Sequence, residues 1–194
     1  MVTCSGAIKD PQLETVYDGL LRRVFRLYGN VRMESLIKKR PSFMAAKRFS
    51  FDVEMCHVEI RKTLETFVQD VALNSLLDSS QPDSLQNIYS DHQRYVETLF
   101  NSILVSGQWS EGTSAFMRKL LLSPTIDQND ILTIISSIML SLMNVFDVEK
   151  WVTLLSIYEN AVYERVRQRA FVGWVLCAPK SGIPLFPEVE EGIN

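Results

Sequence analysis

Residues 131–146, "ILTIISSIMLSLMNVF", run for sixteen positions without a charge, and their reading decides the fold. A helix that spans a bilayer needs about 20 apolar residues. This run is shorter, holds Ser136, Ser137, Ser141 and Asn144, and has Asp127, Asp130 and Asp147 at its ends. A helix that is apolar around its whole circumference in a soluble protein is one buried on most sides, and its small serines admit neighbouring helices closely. The segment reads as a core helix, with no membrane insertion.

The flanking sequence supports a helical context. "SPTIDQND" carries turn and capping chemistry before the run, Asp147 opens "VEKWVTLLSIYEN", and "YERVRQRAFVGWVLCA" follows, ended by Pro179. Loops this short force antiparallel neighbours. Upstream, Leu85, Ile88, Tyr95, Leu99, Ile103 and Leu104 keep helical period over 85–105, and Ser110 or Thr113 is placed to cap "SAFMRKLLL". From Asp52, a stripe of Val53, Cys56, Ile60, Leu64, Phe67, Val71 and Leu73/Leu77 marks a longer helix. At the start, Leu13, Val16, Leu20, Val24 and Leu27 mark an amphipathic helix over 11–28, with Pro11 in its first turn and Gly29 at its end. Asn30 is then placed to cap a shorter helix, "VRMESLIKK", which Pro41 closes, and "SFMAAKRF" is helical again. The composition agrees: 8 Gly and 7 Pro in 194 residues are too few for a turn-rich all-β chain.

The helices at about 128–145 and 148–159 form a hairpin, and 163–178 reads as the first helix of another. A spacing of about 35 residues lies within the range of helical-repeat units. Over 166–177, which includes "QRAFVGWVLC" (168–177), the stripe Val166, Ala170, Gly173/Trp174 and Cys177 faces its neighbours, with Gly173 permitting a close crossing. "PLFPEVEEGIN" then reads as the entry to a further helix, so the stack ends open and offers apolar surface for self-association. "LFNSILVSGQWSEG", the segment from "LLLSPTIDQND" to "LLSIYENA", and "VRQRAFVGWVLCAPKSGIPLFPE" resemble the N-terminal part of large Bacteroidetes proteins. Those proteins join HEAT-like helical repeats to later tetratricopeptide-type repeats. The resemblance reaches "DGLLRRVFRLYGNVRMESLIKKRPSFMAAKR" as well. It implies a helical-repeat fold and a piece of a longer protein, and implies no chemistry.

The fold expected is therefore all-α. It is an α-solenoid of antiparallel helical hairpins (HEAT/armadillo-like) over 51–194, one continuous domain truncated at its C-terminal end, with a basic N-terminal helical segment, 1–50, packed on it.

Chemistry is sparse. Cys4, Cys56 and Cys177 lack CxxC spacing, and no apolar leader follows a basic patch at the N-terminus. Reduced thiols in a cytoplasmic protein are expected. His57 has Arg61 at i+4, which is no metal pair, and His92 lacks a nucleophile partner. Neither a phosphate-binding glycine loop nor a serine elbow is present. Asp127/Asp130 and Asp147/Glu149 sit at helix starts, where carboxylates cap free N–H groups. No catalytic residue, cofactor or metal is assigned.

Charge is unevenly spread. Residues 1–48 carry a balance of +6 and the remainder −9, within an overall −3. Arg22, Arg23, Arg26, Lys38, Lys39 and Arg40, joined by Lys47 and Arg48, alternate with Phe25, Tyr28, Phe43, Phe49 and Phe51, and Arg165 and Arg169 open the last helix. Cations interleaved with rings also occur in nucleic-acid binders, but no recognition-helix signature accompanies them. The expected role is a non-enzymatic protein–protein interaction or scaffold module whose partner is another protein, with Arg22, Arg23, Arg26, Lys38, Lys39, Arg40, Arg165 and Arg169 as its interaction surface. A nucleic-acid or anionic-surface binder acting through 22–48 is the alternative, and an enzyme with a site near His92 comes third.

Overall fold

The structure, a computed structural model, describes residues 11–76, 82–179, 185–187 and 189. Among the described residues the chain is all-helical, with eight helices and no strand: α1 (Pro11–Lys39), α2 (Pro41–Arg48), α3 (His57–Leu76), α4 (Pro82–Leu104), α5 (Glu111–Leu121), α6 (Gln128–Asn144), α7 (Val148–Asn160) and α8 (Glu164–Leu176). Leu77, Cys4 and most of "DSSQPDS" and "PLFPEVEEGIN" lie outside the described residues.

Three helix starts are fixed by the side chains just before them. Ser110 accepts from the Thr113 N–H, Asp127 from that of Asn129, and Asp147 from those of Glu149 and Lys150. Each satisfies backbone donors that a helix start leaves without intrahelical partners.

Alternate helices pack together: α3 on α5 and α5 on α7, and likewise α4 on α6 and α6 on α8. Helices α3 and α4, α6 and α7, and α7 and α8 also touch. Helix α6 lies at the centre, and Ile131, Ile134, Ile135, Ile138 and Leu142 are all buried there. Full burial of such a side chain is worth about 1.5–3 kcal/mol, so this helix is the largest single contributor to the core. Its small residues do what their size suggests: Ser137 is buried and donates to the Phe100 carbonyl of α4 at 2.6 Å. Gly173 of α8 sits so close that an added Cβ would stand 3.2 Å from Leu154 of α7 and 3.4 Å from Met139 of α6. Trp151 stacks on Trp174 at 5.4 Å and donates its indole N–H to the Trp174 carbonyl.

Two expectations need correction. The first helix does not stop at Gly29; α1 continues through Gly29 and Asn30 to Lys39. Gly29 is buried against Gln108, where a Cβ would come within 2.6 Å of the amide nitrogen, and Asn30 accepts from the Gln108 N–H at 2.7 Å. The glycine serves a close approach, at the usual helix-interior cost of about 1 kcal/mol relative to Ala, and is not a stop. The segment from Asp52 becomes helical only at His57, after a turn over 53–55.

Helix α1 crosses the ends of the other helices. It meets the α4–α5 loop at Gln108, the start of α7 through Arg26–Glu149, and Phe186 through Phe25, whose rings are 5.1 Å apart. Met33 and Ile37 join Phe43 and Ala46 of α2 in a second small core with Val105 and Val145. Phe186 and Val189 are themselves buried in the main core, and Phe186 packs inward beneath Arg22 and Phe25 of α1.

Candidate interaction surface

With 3.6 residues per turn, two opposite faces of α1 can be separated. One carries Arg22, Phe25, Arg26, Gly29 and Met33 and lies on the body. The other carries Leu13, Tyr17, Leu20, Val24, Leu27 and Val31, each 53–71 % exposed. The outward face is the more apolar of the two. The periodicity over 11–28 is present as expected, but its stripe faces solvent and not the core.

A smaller apolar face lies on α8, where Phe171, Val172, Val175 and Leu176 are exposed. The inner stripe of that helix is covered, with Val166, Ala170, Gly173 and Cys177 all buried. Burial pushes the Cys177 thiol up to about 11, which leaves it a protonated, unreactive core group.

The cations expected at the surface fall into two sets. Arg23, Lys38 and Lys39 are exposed. Arg22 holds its guanidinium 5.1 Å over the Phe186 ring, and Arg26 pairs with Glu149 at 3.5 Å. Burial raises the Glu149 carboxyl above its ordinary range, and Arg26 pulls it partly back. Arg40 donates to Asn144 at 3.3 Å, and Arg169 donates to the Ser136 hydroxyl at 2.7 Å, tying α8 to α6. Arg165 is exposed. Arg22, Arg26, Arg40 and Arg169 thus have partners within the chain, while Arg23, Lys38, Lys39 and Arg165 are exposed.

Lys150 holds a place that the expected residues did not include. Its side chain is 1 % exposed, and Nζ donates to the Ser106 and Gly107 carbonyls and the Ser141 hydroxyl at 3.0–3.2 Å. It also lies 3.6 Å from Asp147 Oδ2 and 5.4 Å from the Trp109 ring centroid. Asp147 closes the junction by accepting from the Trp109 N–H at 2.8 Å. Burial holds the Lys150 ammonium pKa below its ordinary value, against the pull of Asp147. The junction pins the α4–α5 loop to α6 and α7. Its sequence trace is the Asp147–Lys150 spacing, with a lysine on the face that carries Leu154 and Ile157.

His92 also has a partner far along the chain. Nε2 stands 2.9 and 3.0 Å from the two Asp130 oxygens, and the ring stacks on Phe67 at 3.5 Å. Asp130 therefore bridges α6 to α4 and is not a cap; Asp127 alone of that pair caps. The remaining nitrogen, Nδ1, is buried without a hydrogen-bond partner, and His92 lines none of four cavities delineated among the described residues. A reaction at His92 would need its substrate to reach a buried atom. His57 starts α3, stacked on Phe116 at 4.2 Å.

A cavity of about 240 Å³ lies between α1, the α2–α3 segment and the α4–α5 loop, lined in part by Glu34, Lys47, Asp52 and Glu54. Glu54 accepts from the Ser110 hydroxyl at its rim. Among the described residues no three His, Cys, Asp or Glu side chains are grouped to hold a metal ion, and no helix is long and apolar enough to cross a membrane. Comparison of the chain with protein-family models, with curated proteins and with solved structures gave no match.

Proposed function

We propose that this chain is a non-enzymatic protein–protein interaction module: an α-solenoid of HEAT-like hairpins on whose loop edge α1 is fastened as an outward-facing strap. The packing of α3 on α5 on α7 and of α4 on α6 on α8 supports the solenoid, since stacked hairpins place alternate helices side by side. The resemblance of this sequence to helical-repeat proteins is in keeping with it. A reducing cytoplasm suits the Cys56 and Cys177 thiols, which are free.

The observation that carries the reading is the outward face of α1. Nine large apolar side chains between Leu13 and Val31 are exposed on one continuous helix. Contiguous apolar patches beyond a few hundred Å² mark interaction surfaces on soluble proteins. A photo-crosslinking amino acid placed at Leu20 or Leu27 tests it. Covalent protein adducts should form in cells from these positions and not from exposed Lys62 on α3. Equal labelling at all three positions would sink the reading.

A further inference from the structure

The outward stripe of α1 has a strict period of seven. Leu13, Leu20 and Leu27 are spaced by seven, as are Tyr17, Val24 and Val31, and the two series interleave by four and three. A seven-residue repeat is the signature of a left-handed helical seam, and among parallel assemblies Leu at d with β-branched residues at a favours two strands. Here the leucines hold d, and Val24 and Val31 hold two of the three a positions. We infer that the occupant of this stripe is the same stripe of a second copy, in a parallel coiled coil running along α1.

Three observations carry this beyond the general reading on which it rests. The first is the flanking chemistry. In a parallel pair each g residue faces the e residue five positions on in its partner. Val16 then meets Leu21, and the Arg23 guanidinium meets the Tyr28 ring, a favourable cation–π arrangement. An antiparallel pair that keeps all six seam layers would set Arg23 against its own copy.

The second is area. If each of the nine exposed apolar side chains buries roughly 60 Å² more, two copies together cover about 1,000 Å², the floor for a specific interface. The third is preorganisation. A free helix of under three heptads is marginal in water. Here Phe25, Gly29 and Met33 dock the opposite face of α1 on the body, so association does not bear the cost of forming the helix. The body lies on the side away from the seam, which leaves room for two copies.

Sedimentation equilibrium under reducing conditions, at micromolar concentrations, is the test, applied to the parent chain and to Leu20→Glu/Leu27→Glu. The parent should sediment at twice the monomer mass and the double variant as a folded monomer, with its helical circular dichroism retained. A parent that is monomeric throughout overturns the inference, while leaving α1 as a surface for a different protein. A double variant that remains dimeric also overturns it. A double variant that loses its helical signal would place the stripe in the chain's own core, and both this inference and the interaction reading would fall. For the orientation, Leu20→Cys should give a covalent dimer on mild oxidation beyond any formed by the parent's own cysteines. No increase over the parent would refute the parallel register.

Discussion

Helix α6 buries Ile131, Ile134, Ile135, Ile138 and Leu142 and leaves only Leu140 and Met143 of its apolar residues exposed, whereas α1 presents a leucine-rich face to solvent and lays its more polar face on the protein. Both helices carry a strong apolar pattern. Neighbours on α4, α7 and α8 cover the buried face of α6. The inner face of α1 is held by a glycine contact, an arginine ion pair and single rings. The comparison teaches that helical period says which residues share a face and leaves open what covers that face. In α6 the cover is intramolecular; in α1 we place it on a second molecule.

The largest expected effect lies beside α6, at the buried charge. Asp147→Ala removes the cap of α7, the acceptor of the Trp109 N–H and the countercharge of Lys150. Breaking one partner of a buried pair costs about 3–5 kcal/mol, and urea denaturation should show a loss of that size. Lys150→Met should cost less, because Asp147 keeps its backbone donors. A larger cost for Lys150→Met than for Asp147→Ala would mean that the ammonium, and not the carboxylate, organises the junction.

The next pair sets the two helices directly against each other. Ile135→Ala in α6, at 0 % exposure, should cost about 2–5 kcal/mol. Leu20→Ala in α1 should change the stability of the monomer by no more than about 0.5 kcal/mol. Measured by denaturant at concentrations low enough to keep the chain monomeric, similar values for the two would erase the distinction.

A smaller effect concerns alkaline pH. Burial raises Cys177 from 9.0 to about 11, and Tyr95, also chiefly by burial, from 10.0 to about 12. Between the unfolded and folded values the native state holds a proton that the unfolded chain has lost, so stability falls as pH rises. The contributions are intact below pH 9, and the Cys177 part is lost as pH approaches 11, the Tyr95 part as it approaches 12. Cys177→Ala should flatten the lower part of that decline in melts run from pH 8 to 11, and an unchanged slope would contradict the assignment. The decline belongs to the core and should be independent of protein concentration.

The legible parts of the molecule were the local ones. Ser110, Asp127 and Asp147 announce helix starts because a cap acts on donors two or three residues away. The uncharged run of α6 and the Gly173 crossing follow from side-chain size. Gly29 resembles a helix stop in the sequence because its reason, Gln108, lies across a contact whose neighbouring bond spans 78 positions. His92 shows no partner in its local sequence for the same cause, since Asp130 is 38 residues away. Lys150 is held largely by carbonyls, which no residue type advertises. Among the basic residues of α1, Arg22 and Arg26 have partners at Phe186 and Glu149, too far along the chain for a local pattern to show. The apolar stripe of α1 faces solvent, because period alone does not say which face of an amphipathic helix meets the body.

Amide hydrogen exchange followed at two protein concentrations, well below and well above that of half-dimerisation, tests the central claim most directly. Peptides covering 13–31 should exchange markedly more slowly at the higher concentration, while those of α6 stay equally protected at both. Exchange in 13–31 that does not change with concentration would contradict the account.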